Sequence, residues 1–185
     1  VLAGPMTHEL RAVEGALDED LYRELRVERG LRYALPLLRL RLTVGGERAE
    51  LVGTDPLALV GRSGAPAAAG DHLDELMTAG HTVLAPAPLA ERLGLEVNRD
   101  TQTRIDGRTT TFRTLAISEA AHGDWFGDVL LADIATAQDL ARRRGELDSI
   151  QLRLTDDEAT ALQATLSGRV ELRAFDDRRQ TFDDM

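Results

Sequence analysis

The sequence predicts a mixed fold of helices and strands, with a β-hairpin-rich centre between two ends that each combine a helix with strands. A Gly-Gly pair at 45–46 and an Asp-Gly pair at 106–107, each between runs typical of strands, predict two hairpins. Near the end of the chain, alternating residues over 150–154 precede a capping-box pattern that begins at Thr155 and a strand over 170–175. These three observations predict the mixed class of helices and strands. The other elements are predicted from hydrophobic periodicity and turn residues.

The first half of the chain predicts one helix and one strand pair before a glycine- and alanine-rich stretch. Asp18 suits the N-cap of a helix over 18–29, in which leucines recur every four residues. Strands are predicted over 38–44 and about 49–52, on either side of the Gly-Gly turn. The low-complexity stretch 61–70 predicts a loop or a boundary between subdomains.

The second half predicts short helices that alternate with strands. In chain order these elements are a helix over 71–79, a strand over 82–85, a helix over 88–93, hairpin strands over 101–105 and 108–117, a loop over 118–128, a strand over 129–132 and a helix over 136–144. Pro88 at its start and Gly94 after its end delimit the second of these helices.

The length of the chain limits the number of domains, and its charge disfavours two classes of partner. A chain of 185 residues forms one domain, or two small subdomains that share one core. It carries 32 acidic and 22 basic residues, a net charge of -10, and every basic residue is an arginine. This balance disfavours nucleic acid and anionic lipid surfaces, both of which are bound through excess positive charge.

The sequence contains no cysteine, so a disulfide framework, a thiolate nucleophile and a cysteine metal site are excluded. No apolar run approaches the roughly 18 residues of a membrane span. The chain starts at Val1 without a Met and ends abruptly at Met185, and we therefore expect it to be a piece of a longer protein.

The histidine, serine and aspartate residues of the sequence match no known metal-binding or catalytic motif. The four histidines lack zinc-site spacing, although one of them, His72, lies one helical turn before Glu75. Ser63 lacks the second glycine of a nucleophile elbow. The aspartate pairs at 176–177 and 183–184 lack the alternating ligands of a calcium loop. We therefore predict no catalytic, cofactor-binding or metal-binding residue and no cofactor.

One aromatic pair, Trp125-Phe126, leaves two interpretations open. The pair fills the core beneath its loop, or it contacts a partner or an apolar ligand, as exposed aromatic side chains do at binding surfaces. It is the one candidate contact site that the sequence offers.

Several segments, taken in order, resemble the MacB-like periplasmic core domain of ABC-transporter permeases, within the superfamily that includes FtsX and the lipoprotein-release permeases. The matching segments are Ala3-Gly4-Pro5-Met6-Thr7-His8, residues 17–25, Ala34-Leu35-Pro36-Leu37, Leu51-Val52-Gly53-Thr54-Asp55-Pro56-Leu57, residues 83–85 and 89–95, Leu130-Leu131-Ala132-Asp133-Ile134-Ala135-Thr136-Ala137-Gln138, and residues 150–154. The chain departs from the pattern at Asn98-Arg99-Asp100, where the family carries a Pro-Gly-Asp turn.

The resemblance implies an α+β fold of two subdomains. A porter-like α/β subdomain would be built from residues 1–60 and 125–185, and a β-hairpin-rich subdomain, 61–124, would be inserted between them. In this family the domain lies between the first and second membrane helices, so about 20 apolar residues would precede Val1 and another such span would follow Met185.

The function implied is that of an extracytoplasmic, periplasmic permease domain with no chemistry of its own. It would pass ATP-driven motion of the membrane helices to export or extraction of a lipophilic substrate, or to a partner protein. Its partners would be a cytoplasmic ATPase subunit, reached through a membrane-anchored parent, and a periplasmic protein or lipophilic substrate. The alternatives are a stand-alone ligand- or protein-binding module, favoured by flanks of ordinary soluble sequence, and an enzyme whose catalytic residues converge only in space.

Overall fold

The computed structural model describes residues 6–60, 65, 67–119 and 128–175. The strands in these residues are β1 His8–Ala12, β2 Leu17–Asp18, β3 Ala34–Val44, β4 Glu47–Thr54, β5 Thr82–Pro86, β6 Asp100–Ile105, β7 Arg108–Ser118, β8 Val129–Asp133, β9 Glu146–Leu147, β10 Ser149–Leu152 and β11 Val170–Ala174. The helices are α1 Glu19–Arg23, α2 Pro56–Leu59, α3 Ala67–Asp71, α4 Leu73–Thr78, α5 Ala87–Leu93, α6 Ile134–Ala141 and α7 Asp156–Thr165. A π-helical turn, Glu24–Glu28, continues α1.

Nine of these strands form one sheet in the order β11-β1-β10-β3-β4-β8-β5-β7-β6, while β2 and β9 pair separately. The long strand β3 takes part in both halves of the sheet. Its first residues pair with β10, from Ala34 to Leu37, and its last pair with β4, from Leu38 to Val44. At the far edge β6 returns to β3 through the pair Thr43 and Arg104. The strands β3, β4, β8, β5, β7 and β6, in this spatial order, therefore form a closed ring of six strands.

Three buried apolar clusters fill the spaces between the sheet and the helices. One lies beneath α5 and α6 and includes Leu40, Leu51 and Phe112. A second is covered by the short helices α2 to α4. The third packs the first helix and α7 against β1 and β10, with Leu10 and Ile150 fully buried. Both halves of the sheet are thus tied to helices, as the alternating sequence pattern predicts.

The local start and stop signals are confirmed. The Asp18 side chain accepts a hydrogen bond from the Asp20 amide and caps α1. Thr155 and Glu158 form the predicted reciprocal capping box of α7. Both hairpins form at their predicted turns, where Gly107 takes a φ of +77° that a residue with a side chain adopts with strain.

Several predicted boundaries are wrong. The stretch 61–70 is not wholly a loop, because α3 begins at Ala67, and the helix predicted over 71–79 begins only at Leu73. The helix predicted over 136–144 begins earlier, at Ile134, because Asp133 is its N-cap, and it ends at Ala141. The sequence pattern does not predict strand β1. Only Leu10 of its five residues is buried, and its pairing with β10 and β11 rather than its sequence makes it a strand.

The mixed α and β class is confirmed. Strands from both predicted subdomains share the sheet, since β5, β6 and β7 lie in 61–124 while β3, β4 and β8 lie outside it. The largest buried cluster likewise combines residues of the two ranges. The division into 1–60 with 125–185 and 61–124 stays a prediction.

Candidate functional site

The first and last described strands lie side by side. β1 and β11 pair antiparallel, with His8 opposite Ala174 and Leu10 opposite Leu172. The pairing extends outward, because the Phe175 amide donates to the Thr7 carbonyl at 2.8 Å. The chain therefore enters and leaves this part of the fold at neighbouring points.

Thr7 fixes this entry point to the body of the sheet. Its amide donates to the Leu152 carbonyl at 2.9 Å, and its hydroxyl accepts from the Leu154 amide at 2.9 Å. The same hydroxyl lies 3.2 Å from the Leu154 carbonyl, to which it donates. These bonds join Thr7 to Leu152 of β10, which pairs with β3, and to Leu154 just after β10.

The end of β4 forms a junction with the three helices α1, α2 and α6. Gly53 faces Ala137 of α6 so closely that a Cβ built at Gly53 would lie 2.2 Å from the Ala137 Cβ. Only the absence of a side chain at Gly53 allows α6 to pack this near to the sheet. The close approach explains physically why a glycine stands at this position of the segment that resembles the permease family.

Asp55 joins the first helix to the same junction. Its carboxylate caps α2 by accepting from the Leu57 amide at 2.9 Å and the Ala58 amide at 3.4 Å. It also accepts from the Tyr22 hydroxyl at 2.6 Å. Burial, together with the contact with Asp55, raises the pKa of Tyr22 well above its ordinary value. The phenol therefore stays protonated and remains a donor through the physiological range.

Asp133 lies next to this arrangement, because β8 runs parallel to β4 with Thr54 opposite Asp133. Its carboxylate caps α6 by accepting from the Ala135 amide at 3.1 Å. Burial, reinforced by the neighbouring Asp55 carboxylate, raises the pKa of Asp133 above its ordinary value, although the amides at the start of α6 oppose the shift. Two helix-capping carboxylates thus lie near each other at the ends of two parallel strands.

The body of α6 is bonded to elements on both of its sides. Thr136 accepts a hydrogen bond from the His81 amide at 3.1 Å. The Gln138 side-chain amide donates to Glu19 of α1 at 2.8 Å and to the Glu146 carbonyl at 3.1 Å. Helix α6 therefore connects the first helix, the segment before β5 and the short strand β9.

His81 provides a further link to α6. It is a non-glycine residue with a positive φ of 57°, and its imidazole lies 2.5 Å from the Asp139 carboxylate. The contacts with His81 and then Arg144 lower the pKa of Asp139. A cleft of about 470 Å³ opens beside this pair, lined by Glu19, Asp133 and Asp139 among others.

Asp55 and Asp133 cap helices, and Asp139 pairs with His81 and Arg144. Within residues 6–60, 65, 67–119 and 128–175, no group of three or more His, Asp or Glu side chains could hold a metal ion. His72 contacts Glu75 at 3.0 Å on the surface, and the half-buried His8 contacts the Thr7 hydroxyl at 2.7 Å.

The predicted contact residues Trp125 and Phe126 lie outside the described residues, and their role stays a prediction. Ser63, His122 and the two late aspartate pairs lie outside them as well. The sequence pattern predicts a turn over 53–56 but no packing role for Gly53 or Ala137 and no capping role for Asp55. An available signal was the run of glycine, N-cap aspartate and N1 proline at 53–56, which is typical of a strand that turns directly into a capped helix.

The chain is similar to proteins of one class. No protein-family model matches it. It is 27% identical over 194 aligned residues to an uncharacterized ABC transporter permease protein of Mycobacterium tuberculosis, Rv0987, and the match covers 100% of this chain. The chain spans 22% of the length of that relative.

Two solved structures share the fold. The periplasmic region of MacB from Actinobacillus actinomycetemcomitans superposes with a TM-score of 0.61 at 14% identity, over 98% of this chain and 94% of the other. The extracellular domain of the noncanonic ABC-type transporter YknZ from Gram-positive bacteria gives a TM-score of 0.56 at 8% identity, over 90% and 99% of the two chains.

The fold is therefore that of MacB-type extracytoplasmic domains, and the predicted α+β class with a porter-like part is confirmed. The resemblance to ABC-transporter permeases is confirmed too, along the whole chain. Among the helices of the described residues, none combines the length and the apolar character needed to cross a membrane.

Proposed function

We propose that the chain is the membrane-anchored, extracytoplasmic domain of an ABC-transporter permease and that it passes motion of the membrane helices to a substrate or a partner protein. The observation that carries the proposal is the pairing of the first and last described strands, with His8 opposite Ala174. A domain inserted between two neighbouring membrane helices needs entry and exit points that lie close together.

The contacts inside the domain support its role as a stiff body. Force that enters at Thr7 would reach β10 through the hydrogen bond to Leu152, and the segment after β10 through two hydrogen bonds to Leu154. From β10 it would pass to β3, which runs through both halves of the sheet. The junction at Gly53 and α6 ties the first helix to the same sheet. Bodies of this kind change their position as a unit when the elements at their ends move.

The domain contributes no covalent step in this proposal. ATP would be hydrolysed by a separate cytoplasmic subunit, which acts through the membrane helices of the parent. The moving domain would then act on a lipophilic substrate or on a periplasmic partner protein. The capping and packing roles of Asp55, Asp133 and Asp139 are consistent with a mechanical rather than a catalytic task.

The placement is tested by cysteine labelling of the parent protein in intact cells. The chain contains no cysteine, so a cysteine introduced at Glu47, whose side chain is 58% exposed, would be its only reactive thiol. In a parent freed of its other cysteines, we expect a membrane-impermeant maleimide to label E47C before lysis. The matched control A132C, at a position 1% exposed, should remain unlabelled in the folded protein. Labelling of E47C only after lysis would contradict the proposal.

A further inference from the structure

Three arginines lie beside one threonine at the end of β3 that is farthest from the pairing of β1 with β11. Thr43 of β3 has Arg48 directly opposite on β4 and Arg104 directly opposite on β6. Residues directly opposite in paired strands project to the same face, and so do residues two apart in one strand. Arg41 therefore shares this face with Thr43, Arg48 and Arg104.

All three arginines are exposed, and the sheet register holds their backbones in place. Within the described residues, no acidic side chain forms an ion pair with any of them. The nearby carboxylate of Glu50 contacts Arg39 at 2.7 Å, and that of Asp128 contacts Arg92 at 3.0 Å. Glu50 also lies directly opposite Arg41 in the β3–β4 register, so one carboxylate shares this face with the three arginines.

These side chains line a groove of about 800 Å³ between the β3–β4 hairpin, α5 and the turn from β6 to β7. Glu50, Asp106 and Asp128 line the same groove, as does a fourth arginine, Arg92, so the lining is of mixed charge. The groove is far from the entry of the chain. The ten residue steps of β3 from Ala34, which lies level with His8 across the sheet, to Val44 span roughly 33 Å along the strand.

We propose that the Arg41–Arg48–Arg104 cluster, with the Thr43 hydroxyl at its centre, binds the phosphate group of a small ligand. Guanidinium forks match the spacing of phosphate oxygens, and a hydroxyl completes such a set as donor or acceptor. The net charge of -10 argues against an anionic membrane as the ligand, because the negative charge of the whole domain surface would repel the membrane. A compact anion in the groove meets mainly the charges that line it, since salt screens charges beyond about 8–10 Å. Among these, Arg92 pairs with Asp128 and Glu50 pairs with Arg39, whereas the guanidinium groups of the three arginines form no such pair within the described residues.

The test is isothermal titration calorimetry of the whole chain with inorganic pyrophosphate at low salt. We expect binding that weakens as sodium chloride is added. The variant R48Q/R104Q should lose at least about tenfold in affinity, because it removes two charge-assisted sets of hydrogen bonds. The control R23Q/R169Q makes the same change in net charge at exposed positions outside the groove and should bind like the wild type.

Three outcomes would overturn the proposal: no binding of pyrophosphate to the wild type, equal losses in the two double variants, or binding only to vesicles of phosphatidylglycerol and phosphatidylcholine. The last outcome would assign the cluster to a lipid surface. Far-UV circular dichroism of each variant verifies that it is folded. The measurement is independent of the transport function, because it needs neither the membrane helices nor ATP.

Discussion

The close approach of β4 and α6 predicts that Gly53→Ala destabilises the domain. A Cβ at this position would lie 2.2 Å from the Ala137 Cβ, whereas carbon atoms in contact are separated by about 3.5–4.0 Å. Neither atom can rotate away, and α6 is held by its bonds to Glu19 and His81. We expect a loss of about 1–3 kcal/mol, the usual cost of overpacking a core. For a chain of this size each kcal/mol lowers the Tm by about 2–4 °C.

The matched variant Ala137→Gly removes the methyl group that causes the clash. Alone it should cost about 1 kcal/mol or more, because glycine is a poor helix former. In the double variant G53A/A137G the methyl group moves to the opposite side of the same space. We therefore expect the double variant to lose less unfolding free energy than the two single variants lose in total, by a coupling energy of about 1–3 kcal/mol.

Urea unfolding followed by far-UV circular dichroism measures all four proteins, with unchanged m-values as the sign that the comparison is valid. Two results would refute the reasoning: a G53A variant within about 0.5 kcal/mol of the wild type, or a double variant whose loss equals the sum of the single losses.

Further variants test the capping and hydrogen-bonding contacts. Y22F should lose about 1–3 kcal/mol of unfolding free energy, because it removes the hydroxyl that donates to Asp55. Ultraviolet titration of the wild type should show a tyrosine step, absent from Y22F, that lies above the ordinary tyrosine pKa of 10. D133A should lose about 1 kcal/mol with its cap, whereas D133N keeps a capping side chain and should not. Because the folded pKa of Asp133 is raised, the wild type loses stability relative to D133N as the pH rises from below 3.8 through that folded pKa. Unfolding of D133N and wild type at matched pH values measures this, and a constant difference would contradict it. T155A should lose about 1 kcal/mol in urea unfolding while T155S should not, and equal losses would show that the capping box does not stabilise α7.

Elements that local chemistry determines could be predicted from the sequence. The caps at Asp18 and Thr155 and the turns at 45–46 and 106–107 depend on residues within a few positions of one another. These signals do not depend on the rest of the fold, and they appear in the structure at their predicted places.

Elements that tertiary pairing determines could not be predicted. Strand β1 has a single buried residue, Leu10, and owes its conformation to neighbours from the end of the chain. The packing of Gly53 on Ala137 joins segments that lie far apart in the sequence. The arginine cluster likewise depends on the pairing of Thr43 with Arg104, which no local pattern announces.

The claim that the domain moves as a stiff body is tested most directly by distances between spin labels in the assembled transporter. The resemblance to the permease family implies a transporter with two permease copies, in which labels at E47C report the position of one domain relative to the other. Labels at E47C and R173C of one copy, both at exposed side chains, report the shape of the domain itself. We predict that the distance between copies changes when ATP binds while the distance within one copy stays constant. A change within one copy, or constant distances in both pairs, would contradict the account.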